Sequence, residues 1–181
     1  MKNRLKAAIG ISIACAIILS FLFNIGYLSN INLKLTDNLY GGQPALNSIV
    51  IAAIDDKSLQ EIGRWPWERE VFADIINFLN ESKTIGIDVA FFEPSTKEQD
   101  EKLGQAITNS GKVILPVEYT SFEKQNSQVI GKDLMKPPEE IRQAKGYGYI
   151  NVITDRDGVT RAVNMNVSDQ YDNFANVVYE N

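Results

Sequence analysis

Two carboxylates stand side by side at Asp55 and Asp56, and two more, Asp88 and Glu93, accompany a second apolar stretch. The first pair follows Ile49-Val50-Ile51-Ala52-Ala53-Ile54, and the second lies in and just after Thr84-Ile85-Gly86-Ile87-Asp88-Val89-Ala90-Phe91-Phe92. Acids near the carboxyl ends of neighbouring strands lie where open α/β sheets place their ligands. Four such oxygen donors would suit Mg²⁺ or Ca²⁺. The plainer alternative gives the same acids to helix starts and to pairing with Arg64, Arg69 or Arg161. Trp65 and Trp67 flank Pro66, and their indoles either stack on a ligand or cover the edge of the core. The candidate ligand-binding set is therefore Asp55, Asp56, Arg64, Trp65, Trp67, Asp88, Glu93 and Arg161, with no cofactor, resident metal or catalytic residue assigned.

Composition removes many other chemistries. The chain has no histidine, so the usual general base, the usual zinc ligand and every Ser-His-Asp arrangement are missing. Its one cysteine, Cys15, sits in an apolar run, which leaves the rest of the chain without a disulfide or a thiolate metal site. Asp155-Arg156-Asp157-Gly158 matches a calcium loop only in part, because the third acidic position and the closing glutamate are absent.

Lys2, Arg4 and Lys6 precede an uncharged run from Ala7 to Leu28 that Asn24 interrupts. At about 17 to 22 residues it has the length of a bilayer span. A cleaved signal peptide has a shorter apolar core and a small-x-small site, which Asn24-Ile25-Gly26-Tyr27-Leu28-Ser29 lacks. The basic residues ahead of the span place the N-terminus in the cytoplasm and the remainder outside, in the periplasm or the extracellular space. Setting those three aside leaves 15 basic residues against 23 acidic ones, a net charge of −8 for the exported part. Such a surface repels nucleic acid and anionic lipid headgroups.

The elements that must position the candidate residues follow from periodicity. Leu28, Ile31, Leu35 and Leu39 recur at helical spacing, so the span is expected to continue as an amphipathic stalk until Gly41-Gly42. That stripe also implies a homodimer through stalk and span. Ile49 to Ile54 reads as a buried strand, and Asp56 is expected to cap a short helical turn that carries Leu59 and Ile62 and ends at Gly63. A helix from about Glu68 to Glu81 buries Val71, Phe72, Ile75, Ile76 and Leu79.

Thr84 to Phe92 reads as a second strand, Lys97 to Asn109 as a helix and Lys112 to Val117 as a third strand. Glu118 to Gln143 is polar and reads as an irregular loop. Tyr147 to Ile153 and Val159 to Val167 form a hairpin about Asp155-Arg156-Asp157-Gly158, and Phe174 opens a further helix. The expected fold is α/β: a transmembrane helix and stalk, then a mixed sheet with a parallel βαβαβ core, helices packed on it and an antiparallel hairpin near the C-terminus. The expected divisions are residues 1–28, cytoplasmic N-terminus and anchor; 29–47, stalk and linker; and 48–181, the extracytoplasmic domain.

Several separated segments carry a family resemblance. They are Ile49-Val50-Ile51-Ala52-Ala53-Ile54-Asp55-Asp56-Lys57-Ser58-Leu59, Gly63-Arg64-Trp65-Pro66-Trp67-Glu68-Arg69 and Ile85-Gly86-Ile87-Asp88-Val89-Ala90-Phe91-Phe92-Glu93-Pro94. Gly148-Tyr149-Ile150-Asn151-Val152 and Asp155-Arg156-Asp157-Gly158-Val159-Thr160-Arg161 complete the series. Together they resemble the second type of CHASE domain, the cyclase and histidine-kinase associated sensory extracellular domains. The resemblance implies an extracytoplasmic sensory module of a bacterial transmembrane receptor, normally followed by further spans and a cytoplasmic effector. It carries over no ligand-binding residues. No second apolar run of span length occurs, so the chain is expected to be either a fragment of such a receptor or a receptor that lost its output half, and the unfinished final helix favours the fragment. Besides a sensor of an unknown extracytoplasmic ligand or protein, two classes stay open: a membrane-tethered interaction module, and a metal-dependent hydrolase built on the four carboxylates.

Overall fold

The computed structural model describes residues 2–37, 42, 46–125, 128–152, 154–155, 157–161, 163 and 170–181. The chain forms two compact units, Met1–Ala53 and Ile54–Asn181.

In the first unit, helix α1 runs from Lys2 to Asn24 without an acidic residue in its first turn or a basic one in its last. Within it, Asn3–Asn24 is long and apolar enough to cross a membrane, and the span's most apolar window is entirely unburied. Twenty-two residues at 1.5 Å each give roughly 33 Å, about the thickness of the hydrocarbon core. The expected continuous stalk does not form. Gly26 adopts φ +74° and donates its N–H to the Phe23 carbonyl at 3.1 Å, a left-handed cap that glycine takes without steric penalty. Helix α2, Tyr27–Asp37, starts afresh beyond it. The expected stop at Gly41-Gly42 and the stripe residue Leu39 lie at the edge of or outside the described residues.

The second expectation to fail is the strand at Ile49–Ile54. Among the described residues these form no ladder, and Val50 and Ile51 are 89% and 86% exposed. An apolar β-branched run favours extended backbone, but a strand exists only where a second strand satisfies its N–H and C=O groups.

Unit two is α/β, with a mixed sheet whose spine is β2, Val113–Gln125. Its first half lies between two parallel neighbours, β1 at Ile85–Gly86 and β4 at Gly146–Tyr149, in the registers Ile85↔Val113 and Ile114↔Gly146. Val113, Ile114, Leu115, Pro116 and Val117 are accordingly all buried, as a central parallel strand covered on both faces requires. The second half of β2 leaves that sheet and pairs antiparallel with β3, Gln128–Met135, from Glu118↔Met135 to Gln125↔Gln128.

The antiparallel hairpin thus occupies much of the segment expected to be an irregular loop. Its polar, two-sided alternation has no apolar face to mark it as a strand pair. Of the hairpin expected near the C-terminus, the first strand is present as the shorter β4. The turn closes through Asp155 N–H to Val159 C=O at 2.9 Å, but Val159–Arg161 and Val163 are not strand, and residues 164–169 lie outside the description.

Helices cover the two faces of the parallel sheet. On one side lie α4, Arg69–Phe78, and α5, Lys97–Ser110. Phe72, Ala73 and Ile76 from α4 and Leu103, Ala106 and Ile107 from α5 meet Ile85, Ile87, Phe91, Val113 and Leu115 in one core. Each fully buried Ile, Leu or Phe there contributes about 1.5–3 kcal/mol. Thr96 caps α5 through its hydroxyl, which accepts from Gln99 N–H, and Gly111 ends it in the left-handed region. On the other face α6, Phe174–Glu180, is capped by Asn173 and brings Val177 against Gly146 and Val178 against Gly86. Two glycines permit close approach: Gly104 of α5 lies against the Glu140 carbonyl of a 3₁₀ turn, Glu139–Ile141, and Gly148 against the backbone of Phe174.

Candidate functional site

The segment from Asp55 to Trp67 is built by short-range bonds that its sequence dictates. Asp55 caps helix α3, Asp56–Ile62, in a capping box: its carboxylate accepts from Ser58 N–H at 2.9 Å, and the Ser58 hydroxyl lies 3.4 Å from Asp55 N–H. These bonds from Ser58, backbone first, hold the Asp55 carboxyl below its ordinary pKa. Asp56 stands in the first turn of the same helix and is exposed. Gly63, at φ +118°, ends α3, and its carbonyl accepts the Trp67 indole N–H at 2.8 Å.

That bond fixes a ladder of rings. Trp67 is buried at 8% exposure, while Trp65 keeps 47% of its surface open. The two centroids lie 5.7 Å apart, Trp65 meets Phe72 edge-on at 6.0 Å, and Phe72 meets Phe91 edge-on at 5.0 Å. The Arg69 guanidinium closes the ladder 4.5 Å from the centre of the Phe91 ring. Edge-to-face pairs of this kind add about 0.5–1.5 kcal/mol each beyond their buried area. Trp67 therefore serves the core, and Trp65 offers a braced, half-open aromatic surface.

The charges around the ladder divide into paired and open. Arg69 Nε donates to Asp100 Oδ1 at 3.2 Å and an Arg69 terminal nitrogen donates to the Glu93 carbonyl at 2.8 Å. Asp100 Oδ2 accepts from Ser95 N–H at 2.8 Å. With side chains 14% and 3% exposed, this ion pair is the principal buried charge interaction among the described residues, and it ties α4, α5 and the Glu93–Ser95 loop together. Arg161, in turn, is held by Asp155 at 2.9 Å and Asp157 at 2.8 Å. Its hydrogen bonds draw the Asp157 carboxyl down to about 2.

Of the eight candidate residues, the structure thus joins Trp65 and Trp67 in one cluster and puts the Glu93 backbone beside it through Arg69. Asp55 is a helix cap, and Arg161 lies in the separate Asp155–Arg161 turn. The side chains of Asp56, Arg64, Asp88 and Glu93 are exposed and make no hydrogen bond or ion pair among the described residues. Among those residues no three acidic or cysteine side chains converge as a cation site. Neither Asp55 nor Asp88 holds an arginine. Asp100 takes that role for Arg69, and its place was readable: Asp100, Leu103, Gly104 and Ile107 share one stripe of α5. An acid on the apolar stripe of a helix needs a buried cation.

The CHASE2 domain family model matches residues 12–180. The chain belongs to the CHASE2 domain family. CHASE2 is a family of extracellular sensory domains, and the match spans both the apolar helix and the α/β unit. No curated protein and no solved structure matches the chain. As a CHASE2 domain the α/β unit has the role of an input module, and its helix α1 is suited to membrane attachment.

Proposed function

We propose that this CHASE2 chain is the input part of a bacterial transmembrane receptor, with its N-terminus in the cytoplasm and Ile54–Asn181 outside. The observation that carries the reading is the family match across residues 12–180, joined to a basic N-terminus ahead of a span-length helix. Ligand recognition is assigned to the exposed rim of the aromatic ladder. Trp65 supplies a stacking surface, Arg64 an adjacent open guanidinium and Glu93 an open carboxylate; Asp56 and Asp88 are further open carboxylates that no contact joins to the ladder, and Asp55, Trp67 and Arg161 act by holding backbone and rings in place. The occupant is a small molecule or partner that is sensed rather than turned over, and the output is a shift between two arrangements of the membrane-attached unit. The receptor works as a homodimer in contact through its spans, where Gly10 and Ala14 form a small-x-x-x-small face.

A tethered interaction module is the second reading, and the exposed Val50 and Ile51 favour it. Fusion of a reporter after Asn181 tests the topology that both readings share. A reporter active only outside the cytoplasm should work, and one active only inside should stay silent. The reverse pattern removes the receptor reading. Titration of an extracytoplasmic extract then separates the two readings: saturable quenching of Trp65 by its small-molecule fraction supports the sensor, and quenching by its protein fraction alone supports the interaction module.

A further inference from the structure

We propose that helix α2 lies along the headgroup layer of the bilayer that α1 crosses, with Tyr27, Ile31 and Leu35 directed into the lipid. At 100° per residue these three positions fall within a sector of about 80° on the helix. Tyr27 is 54%, Ile31 41% and Leu35 62% exposed, so packing within Met1–Ala53 leaves this apolar side open. The occupant follows from continuity. Asn24 ends the span and Tyr27 begins α2, so the new helix starts at the membrane surface. A tyrosine at that level and an amphipathic helix of low net hydrophobicity match the chemistry of the lipid–water boundary.

A second copy fits the same face poorly. Gly26 at φ +74° interrupts the helical path between span and stalk, so α2 is not a continuation of a paired α1. Its 11 residues also amount to about one and a half heptads, short of the three or four that sustain a coiled coil. Lipid is continuous with α1, whereas a partner helix would have to form a new interface from two turns of contact. The consequence is a helix that slides or rotates on the membrane rather than a rigid rod along its normal.

The proposal rests on α1 being a span, and one experiment separates the two. The full chain carrying Cys15→Ser and single cysteines is spin-labelled and placed in phosphatidylcholine–phosphatidylglycerol vesicles. Relaxation by lipid-soluble oxygen is then compared with relaxation by a water-soluble nickel chelate. Labels at positions 27, 31 and 35 should favour oxygen and those at 30 and 37 the chelate, a reversal of the ratio that repeats with helical period. Equal chelate access at 31 and 35 overturns the proposal, and so does spin–spin broadening between chains at those positions, which would assign the face to a second copy. Labels at 13 and 17 report the span. If they favour the chelate, the span reading fails and the proposal with it; if they favour oxygen while 31 and 35 do not, only the proposal fails.

Discussion

Asp100→Asn is the substitution most damaging to the α/β unit for its size. It preserves shape and one hydrogen-bond acceptor for Ser95 N–H, but it removes the charge that faces Arg69 Nε at 3.2 Å. Arg69 would keep the Glu93 carbonyl and the Phe91 ring, so the guanidinium stays in place with its charge uncompensated. Breaking one side of a buried pair costs roughly 3–5 kcal/mol. Because the Arg69 side chain retains 14% exposure, the lower end applies, about 3 kcal/mol. Each kcal/mol displaces the midpoint of a domain of this size by about 3–5 °C, which gives a fall of about 10 °C. The only two tryptophans, Trp65 and Trp67, both lie in this unit beside Phe72, so intrinsic fluorescence of the full chain in detergent follows its melting alone. Lys102→Ala, which removes the exposed and solvent-screened pair with Glu70, should leave the midpoint nearly unchanged. Equal effects of Asp100→Asn and Lys102→Ala would refute the view that burial gives the Arg69 pair its weight.

Three further outcomes follow from local geometry. Gly104→Ala drives a methyl group into the Glu140 carbonyl and should cost about 1–3 kcal/mol, read as a lower denaturant midpoint. Trp67→Ala should lose about 3–5 kcal/mol, whereas half-exposed Trp65→Ala should lose only its ring contacts, about 0.5–1.5 kcal/mol, so comparable losses would contradict the division of roles between them. Asp157, whose pKa is lowered by Arg161 to about 2, contributes stability to its turn that is present above the unfolded value of 3.8 and is lost as pH falls through about 2. Carboxyl NMR titration should find that low midpoint, and Arg161→Met should return it toward the ordinary range.

The helices were legible because their apolar residues recur at a period that only one face can satisfy, and the central strand because Val113–Val117 is apolar throughout, whereas the strand expected over Thr84–Phe92 is laddered only at Ile85–Gly86. Phe72 and Ile76, or Leu103 and Ile107, have no other way to be buried together. A cap at this helix was legible too, but it falls on Asp55 and not on the expected Asp56, because Ser58 stands at the spacing that a capping box with Asp55 needs. What sequence did not reveal depends on partners remote along the chain. The β2–β3 hairpin is held by backbone pairing between polar residues such as Ser121↔Lys132, and polar alternation carries no burial signal. Arg69 chose Asp100, 31 residues away, over the nearer Asp88 because α4 and α5 pack face to face. Ile49–Ile54 had the composition of a strand but no ladder partner among the described residues, and Gly26 looked like one more small residue in an apolar run.

The receptor orientation can be tested directly with Cys15→Ser as background, since the chain then has no thiol. A single cysteine replacing exposed Lys124 in the hairpin, and another replacing exposed Asn3 at the start of α1, are challenged with a membrane-impermeant maleimide on intact spheroplasts. Position 124 should label before lysis and position 3 only after it. Labelling of position 3 on intact cells, with position 124 protected until lysis, would place the CHASE2 domain in the cytoplasm and contradict its role as an extracytoplasmic input module.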